Sequence, residues 1–320
     1  MRIFRKIVMI FMDGSLLTKA IIPQSMDLGL RFKKVYIEIS DICGLNCSFC
    51  PQQKGVRGKM SLLLFEKILS QIQGKTKLVS LHVLGDPCKH TDLSSYLDLL
   101  TKYALRADIV TSGYYLCQEL LFEPCIHQVA FSLDAGLDPK NPHKKDYLAK
   151  ILEFCALHQM RQSKIFLNLR LQDRLLNPAV LEQIVRFFGV QIKEPHVYGR
   201  YKLREYIFLV ITKSFTWADM SLKKSCDSRR CHAIKEQIAI LANGIVVPCC
   251  IDAAGVIALG DVNVQSLQEI YHSPRSVAIK EGFEKGIAIE ELCKKCNFPT
   301  NRVASPPVRL LSPNFSHKSY

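Results

Sequence analysis

Cys43-Gly44-Leu45-Asn46-Cys47-Ser48-Phe49-Cys50 places three thiols within eight residues, separated by three residues and then by two. The preceding run, Lys34-Val35-Tyr36-Ile37-Glu38-Ile39-Ser40, alternates β-branched and polar residues and reads as a strand. The thiols therefore fall in a loop at the carboxyl end of that strand, where Gly44 and Asn46 tolerate tight curvature. Three thiolates from one short loop suit a soft, multi-iron centre and leave one iron of a four-iron cluster open to another ligand. A structural zinc takes four ligands, and the loop supplies three with no histidine at the usual spacing. A disulfide would leave one thiol over, and nothing else in the chain points to an oxidising compartment.

Working outward, strand-like and helix-like segments alternate at least five times from about residue 34. Ser61 reads as the N-cap of a helix carrying Phe65, Ile68, Leu69 and Ile72, ended near Gly74. Strands are expected over 78–84, 107–111, 128–133 and 164–170, with helices over 92–105 and around Leu148, Ile151, Leu152 and Cys155. Asn177-Pro178 opens a further helix that closes at Gly189. Short strands near 190–193 and 206–212 extend the series. This is the pattern of a parallel α/β fold, in which chemistry gathers at the carboxyl edge of the strands. A doubly wound sheet and a parallel barrel share that edge, and the pattern fits both.

Gly85-Asp86-Pro87, Thr111-Ser112-Gly113, Ser132 and Arg170 all end strands at that edge. With these residues in view, the chain resembles the radical S-adenosylmethionine (radical SAM) enzymes, through its CxxxCxxC loop with an aromatic before the last cysteine. The resemblance implies an incomplete (β/α)6 barrel over residues 34–217, with Cys43, Cys47 and Cys50 holding a [4Fe-4S] cluster whose open iron takes SAM. Gly85-Asp86 looks like the family's Gly-Gly-Glu-type motif, with Leu84 in place of the first glycine and Asp86 in place of the glutamate. Asp86 then offers an anionic acceptor to the SAM ammonium. Thr111 falls in a turn like one near the nucleoside in related enzymes. Ser132 and Arg170 match positions that contact SAM ribose or carboxylate, and Phe49 packs against the cluster or adenine.

Residues 226–296 carry a second set of cysteines. Two apolar runs, Glu236–Leu241 and Ile245–Cys249, flank Asn243-Gly244 and form a hairpin signal. Ser266-x-x-Glu269 is a capping box that starts a helix, and Cys293-Lys294-Lys295-Cys296 ends the unit. Cys231, Cys249, Cys293 and Cys296 together would fully ligate a metal, and four cysteines suit zinc as well as an iron–sulfur cluster. Cys226 competes with Cys231 as first ligand, and Cys250 with Cys249. The arrangement resembles the Twitch form of the SPASM extension behind radical SAM barrels, which implies a small α+β domain over 218–300 with a second [4Fe-4S] cluster. Cys88, Cys117, Cys125 and Cys155 are expected in core packing.

The chain has 320 residues, 48% of them hydrophobic, thirteen cysteines and a formal net charge of +14. The charges are scattered in short pairs from Lys33-Lys34 to Lys294-Lys295, without a nucleic-acid-binding motif, so a solvated basic surface is favoured over a polynucleotide substrate. The apolar run Ile7–Met12 is too short for a membrane span or signal core, and with so many cysteines a cytoplasmic location is expected. Residues 1–33 are expected as an N-terminal extension and 301–320, rich in Pro and Ser, as a mobile tail.

The resemblance implies that SAM is cleaved to methionine and a 5′-deoxyadenosyl radical, which takes a hydrogen atom from the substrate, with net oxidation assisted by the second cluster. An external electron donor such as flavodoxin or ferredoxin, and a small-molecule or peptide substrate, are the expected partners. The alternatives are an iron–sulfur electron carrier or scaffold without SAM turnover, and a radical SAM enzyme acting on a nucleotide or RNA substrate. Arg57, Lys59, Trp217, His82 and His90 are candidate substrate contacts by position, and each is expected to be a structural or surface residue instead. No catalytic acid or base is identifiable, because fold does not select chemistry.

Overall fold

A computed structural model describes residues 30–51, 56–191, 198–223, 226–298, 308–310 and 312–313. The chain divides into Met1–Leu30 and Arg31–Tyr320. The apolar run Ile7–Met12 and nearly all of the expected N-terminal extension lie outside the described residues.

The second unit opens with strand β1 (Lys34–Ile37), helix α1 (Leu62–Ile72), β2 (Leu78–Ser80), α2 (Leu93–Lys102), β3 (Arg106–Thr111), β4 (Ile126–Ser132) and α3 (Leu133–Leu137). It continues through α4 (Tyr147–Met160), β5 (Phe166–Gln172), α5 (Pro178–Phe188), β6 (Val190–Gln191), β7 (Gly199–Arg204) and β8 (Ile207–Thr212). The C-terminal part contributes β9 (Gln237–Ile240), β10 (Ile245–Val247), β11 (Gly260–Asp261), α6 (Leu267–Tyr271), α7 (Pro274–Glu284), α8 (Glu291–Lys295), β12 (Val308–Leu310) and β13 (Ser312–Pro313).

Local chemistry explains several boundaries. The Ser61 side chain accepts from Leu64 N to start α1, and Asn177 accepts from Ala179 N and Val180 N ahead of Pro178 in α5. Gly189 ends α5 in the left-handed region, where a Cβ would be unfavourable. The capping box of Ser266 and Glu269 forms as expected.

Six strands, β1-β2-β3-β4-β5-β8, lie side by side and all parallel, which is the expected six-stranded core. β7 pairs antiparallel with β8. Phe131 of β4 packs against Phe154 of α4, with ring centroids 5.5 Å apart, so one sheet face meets the helices. The opposite face carries the register rows Tyr36, Ser80, Asp108, Gln128 and Phe166, and, nearer the carboxyl edge, Ser132, Arg170 and Val210.

Three elements differ from the expectation. Val190–Gln191 does not extend the parallel series but pairs with Ser312–Pro313. Val308–Leu310 runs parallel to β7, so part of the stretch expected as a mobile tail is hydrogen-bonded into the sheet. The C-terminal hairpin is continuous with the core: β9 lies parallel to β1, with Lys34 to Ile37 opposite Gln237 to Ile240. Backbone pairing thus fixes the second cysteine set relative to the first.

Candidate metal and cofactor centre

Glu38, one residue beyond β1, is fully buried and ties three segments together. Its carboxylate accepts from Arg57 Nε at 2.7 Å and Nη2 at 2.9 Å, from Leu84 N at 3.0 Å and from Ala242 N at 3.1 Å. Asp41 accepts from the backbone amides of Arg57 and Gly58, both at 2.9 Å. Arg57 is therefore a brace for the far end of the cysteine loop, as expected of a structural residue, and the Lys59 ammonium donates to Thr91.

Between these anchors, Cys43, Cys47 and Cys50 pack in one apolar cluster with Leu45, Phe49, Tyr114 and Ala135. Asn141 holds this loop from outside: its amide nitrogen donates to Cys47 Sγ at 3.1 Å and its oxygen accepts from Asn46 N at 2.7 Å. Asp138 accepts from Ser48 N and Oγ at 2.7 and 2.6 Å. An amide aimed at sulfur stabilises a thiolate, so the donor set fits an iron–sulfur cluster. Asp138 and Asn141 carry no spacing motif, and only the fold brings them to the loop.

Gly85 has φ +59°, and a Cβ there would come within 2.1 Å of Ser40 O. This close approach requires glycine and lets Asp86 N donate to Ile42 O at 3.3 Å. The Asp86 carboxylate points inward: it accepts from Cys88 N at 3.0 Å, Thr111 Oγ1 at 3.1 Å and Ser112 N at 2.8 Å, and also from Ser112 Oγ. Burial pushes this carboxyl upward against those donors. Asp86 and Thr111 are thus brought together, but the geometry makes Asp86 a brace between the β2 and β3 loops.

Ser132 and Arg170 are register partners at the ends of β4 and β5. Arg170 lies among Tyr36, Asp134 and Cys250, with burial pulling its pKa down. Asp134 accepts from Gln172 N at 3.0 Å, and burial raises its pKa to about 6. His82 stands edge-on to Tyr36 with its Nδ1 3.2 Å from Ser80 Oγ; burial, Arg170 and Lys34 lower its pKa to about 3, so it is neutral at physiological pH. His90 is buried and its Nδ1 accepts from Asp92 N. Cys125 and Cys155 are core residues as expected, whereas Cys88 and Cys117 are half-buried neighbours.

In the C-terminal part, Cys231, Cys249, Cys293 and Cys296 line one small cavity of about 50 Å³. Burial, with Cys231 and Cys296 nearby, pushes the Cys293 thiol up to about 12. The Arg229 guanidinium donates to Cys296 Sγ at 3.4 Å and to the Phe298 carbonyl at 2.7 Å. Four thiols lining one cavity, with a cation on one sulfur, fit a group that binds them as thiolates. Cys226 is exposed, with its thiol on Ser228 O, and does not line this cavity. Cys250 does not line this cavity and lies beside Tyr36 instead. Among the described residues no three His, Cys, Asp or Glu side chains are gathered as for a single metal ion. Thiolates of a four-iron cluster each bind a different iron.

A larger cavity of about 770 Å³ lies between the cysteine loop, the 215–219 segment and the 251–258 turn, with Phe49, Cys50 and Trp217 in its wall. Among the described residues, no helix is long and apolar enough to cross a membrane.

Residues 231–297, which contain all four cysteines of the second set, match the SPASM family, an iron–sulfur cluster-binding domain. Among characterised proteins the chain is similar to the S-adenosyl-L-methionine-dependent 2-deoxy-scyllo-inosamine dehydrogenase of Niallia circulans. The two are 22% identical over 279 residues, covering 83% of this chain and 93% of that protein. Among solved structures it is similar to BtrN in complex with AdoMet and 2-DOIA, with TM-score 0.53 and 16% identity over 83% of this chain and 93% of that one. Streptococcus suis SuiB bound to precursor peptide SuiA gives TM-score 0.57 and 16% identity over 83% and 71%. The enzyme anSMEcpe with bound AdoMet and Cp18Cys peptide gives 0.55 and 14% over 82% and 86%. The resemblance carried by the cysteine motifs thus extends to the fold of the core and to the C-terminal domain.

Proposed function

We propose that this chain, with a radical SAM fold and a SPASM cluster-binding domain, is a radical SAM enzyme that removes a hydrogen atom from its substrate. The observation that carries this reading is the packing of Cys43, Cys47 and Cys50 together at the carboxyl end of the first strand of a six-stranded parallel core, with the Asn141 amide on Cys47. These three cysteines would hold a [4Fe-4S] cluster, and Cys231, Cys249, Cys293 and Cys296 a second one. The first cluster with SAM supplies reductive cleavage to a 5′-deoxyadenosyl radical.

This chain's own residues bind and orient. Phe49 borders the cluster loop with an apolar face, and the Gly85-Asp86 backbone, rigidified by the Asp86 bonds to Thr111 and Ser112, stands beside it. Arg170 and Ser132, adjacent at the same edge, suit the carboxylate and ribose of SAM. Preorganised groups of this kind fix the reacting C–H and keep water away. Net oxidation is the favoured outcome: the Niallia circulans relative is a dehydrogenase, and a site closed by four thiols suits electron transfer better than substrate binding. An external reductant such as flavodoxin or ferredoxin, and a small-molecule or peptide substrate, complete the reading. The domain division at 217/218 and a cytoplasmic location belong to the same proposal.

The test is direct. Anaerobically reconstituted protein should convert SAM to 5′-deoxyadenosine under strong reductant, and Cys47→Ala should abolish it. Equal product from both proteins would reject the assignment.

A further inference from the structure

We infer that the larger cavity seats an apolar, uncharged group of the substrate, with Trp217 and Ala254 as determinants of specificity. The inference rests on the radical SAM reading for what is being oriented, and on the cavity wall for the chemistry of the group.

The wall is built from Phe49, Leu84, Phe215, Trp217, Leu241 and Ile251, facing the small residues Ala253, Ala254 and Ala258 of one turn. Phe215 and Trp217 hold each other at 5.6 Å between ring centroids, and Trp217 packs against the buried cluster of Val83, Leu84, Ala239, Leu241, Val247 and Ala253. The aromatic side is therefore fixed in place, while the alanine side leaves the space open.

Most polar side chains in the wall, Thr216 apart, are already engaged. Ser48 donates to Asp138, Arg57 is forked onto Glu38, Asp219 accepts from Ser221 at 2.7 Å, and Asn243 accepts from Ile245 N at 3.2 Å. A charged or polyhydroxylated group entering here would lose water without gaining comparable partners, whereas an alkyl or aryl group gains by leaving water. The groups suited to polar recognition, Arg170, Tyr36 and Asp134, surround a different part of the core, and none of them lines this cavity. At the mouth stands Val56, an apolar side chain left 80% exposed. About 770 Å³ falls within the range of ordinary ligand sites. The substrate is thus expected to present an aliphatic or aromatic group to this wall and its reacting carbon to the cysteine loop, where Phe49 and Cys50 meet the cavity.

Trp217 is the single tryptophan of the chain, so its fluorescence reports occupancy without any turnover. Reconstituted full-length protein is titrated with straight-chain primary alcohols from butanol to octanol. The expected result is a Kd that falls about three- to fourfold per added methylene. Ala254 sits exposed at the tip of its turn, so Ala254→Asp should keep the fold, checked by circular dichroism, and weaken octanol at least about tenfold, because the bound alkyl chain would strip water from the new carboxylate. A Kd independent of chain length, an unchanged Kd in Ala254→Asp, equal binding of scyllo-inositol, or displacement of octanol by saturating SAM alone would each overturn the inference. Formation of 5′-deoxyadenosine by the wild type is measured separately. If it is absent while the alcohol series behaves as expected, the radical SAM reading fails and the cavity assignment stands.

Discussion

Cys249 and Cys250 are consecutive, yet their thiols serve different compartments. Cys249 lines the small cavity with Cys231, Cys293 and Cys296, whereas Cys250 lies beside Tyr36 of β1 and near Arg170. Both lie in the turn just beyond β10, where Asp252 N donates to Cys249 O at 3.2 Å. One covalent link therefore joins the second thiol set to the polar face of the core.

Iron content follows from this arrangement. Two four-iron clusters correspond to about eight irons per chain. Cys249→Ala should retain about four, while Cys250→Ala and Cys226→Ala should each keep about eight. Colorimetric iron analysis with Mössbauer spectroscopy checks this, and loss of four irons in Cys250→Ala would make Cys250 a ligand. About four irons with one zinc in the wild type would replace the second cluster by a zinc site.

Glu38 is expected to matter for stability well beyond its single salt bridge. Glu38→Ala leaves Arg57 without its carboxylate and removes the acceptor of Leu84 N and Ala242 N, so a loss of about 3–5 kcal/mol is expected. Arg57→Ala should cost a similar amount, and the double variant less than the sum of the two, because each strands the other's charge. Urea unfolding of the four proteins measures the coupling. Strict additivity would mean that Glu38 and Arg57 act independently.

Asp134 gives a pH signature. Its folded pKa, about 6, is raised above the ordinary value of about 3.9. The folded state therefore binds more protons between these values, and this carboxyl's stabilising contribution is full below about pH 4 and lost as pH rises through about 6. Asp134→Asn keeps an oxygen for Gln172 N but cannot ionise. Relative to wild type it should be neutral at pH 4 and more stable at pH 7, by at most about 3 kcal/mol. A stability difference that does not change between those pH values would place the Asp134 pKa near normal.

Much of this was legible because it is local. The spacing of Cys43, Cys47 and Cys50, the Ser61, Asn177 and Ser266 caps and the Asn243-Gly244 turn are all encoded within a few residues. What the sequence could not show is long-range. Asn141 reaches Cys47 across 94 positions and Glu38 reaches Ala242 across 204, and neither pair leaves a periodic signal. Asp86 is the instructive case. Its place in the motif is readable, but the direction of its carboxylate depends on Thr111 and Ser112, which the β2–β3 pairing brings alongside. Val308–Leu310 became a strand for a similar reason, because β7 offered an edge that composition does not reveal.

The role of the second site is separable from that of the first. Replacing Cys293 and Cys296 with Ala removes two of the four thiols in the small cavity and touches nothing in the 43–50 loop, whose braces are Asn141, Asp138 and Asp41. SAM cleavage should therefore persist at a measurable level while conversion of the true substrate fails, as expected if the second cluster takes up the substrate's electron. Loss of ligands also removes folding free energy from a metal-bound unit. β9 is paired along its length with β1, so the hairpin should stay docked even then. Circular dichroism and limited proteolysis establish whether it does. A folded double variant that has lost about four irons and still converts substrate at the wild-type rate would show that the electron leaves by another route.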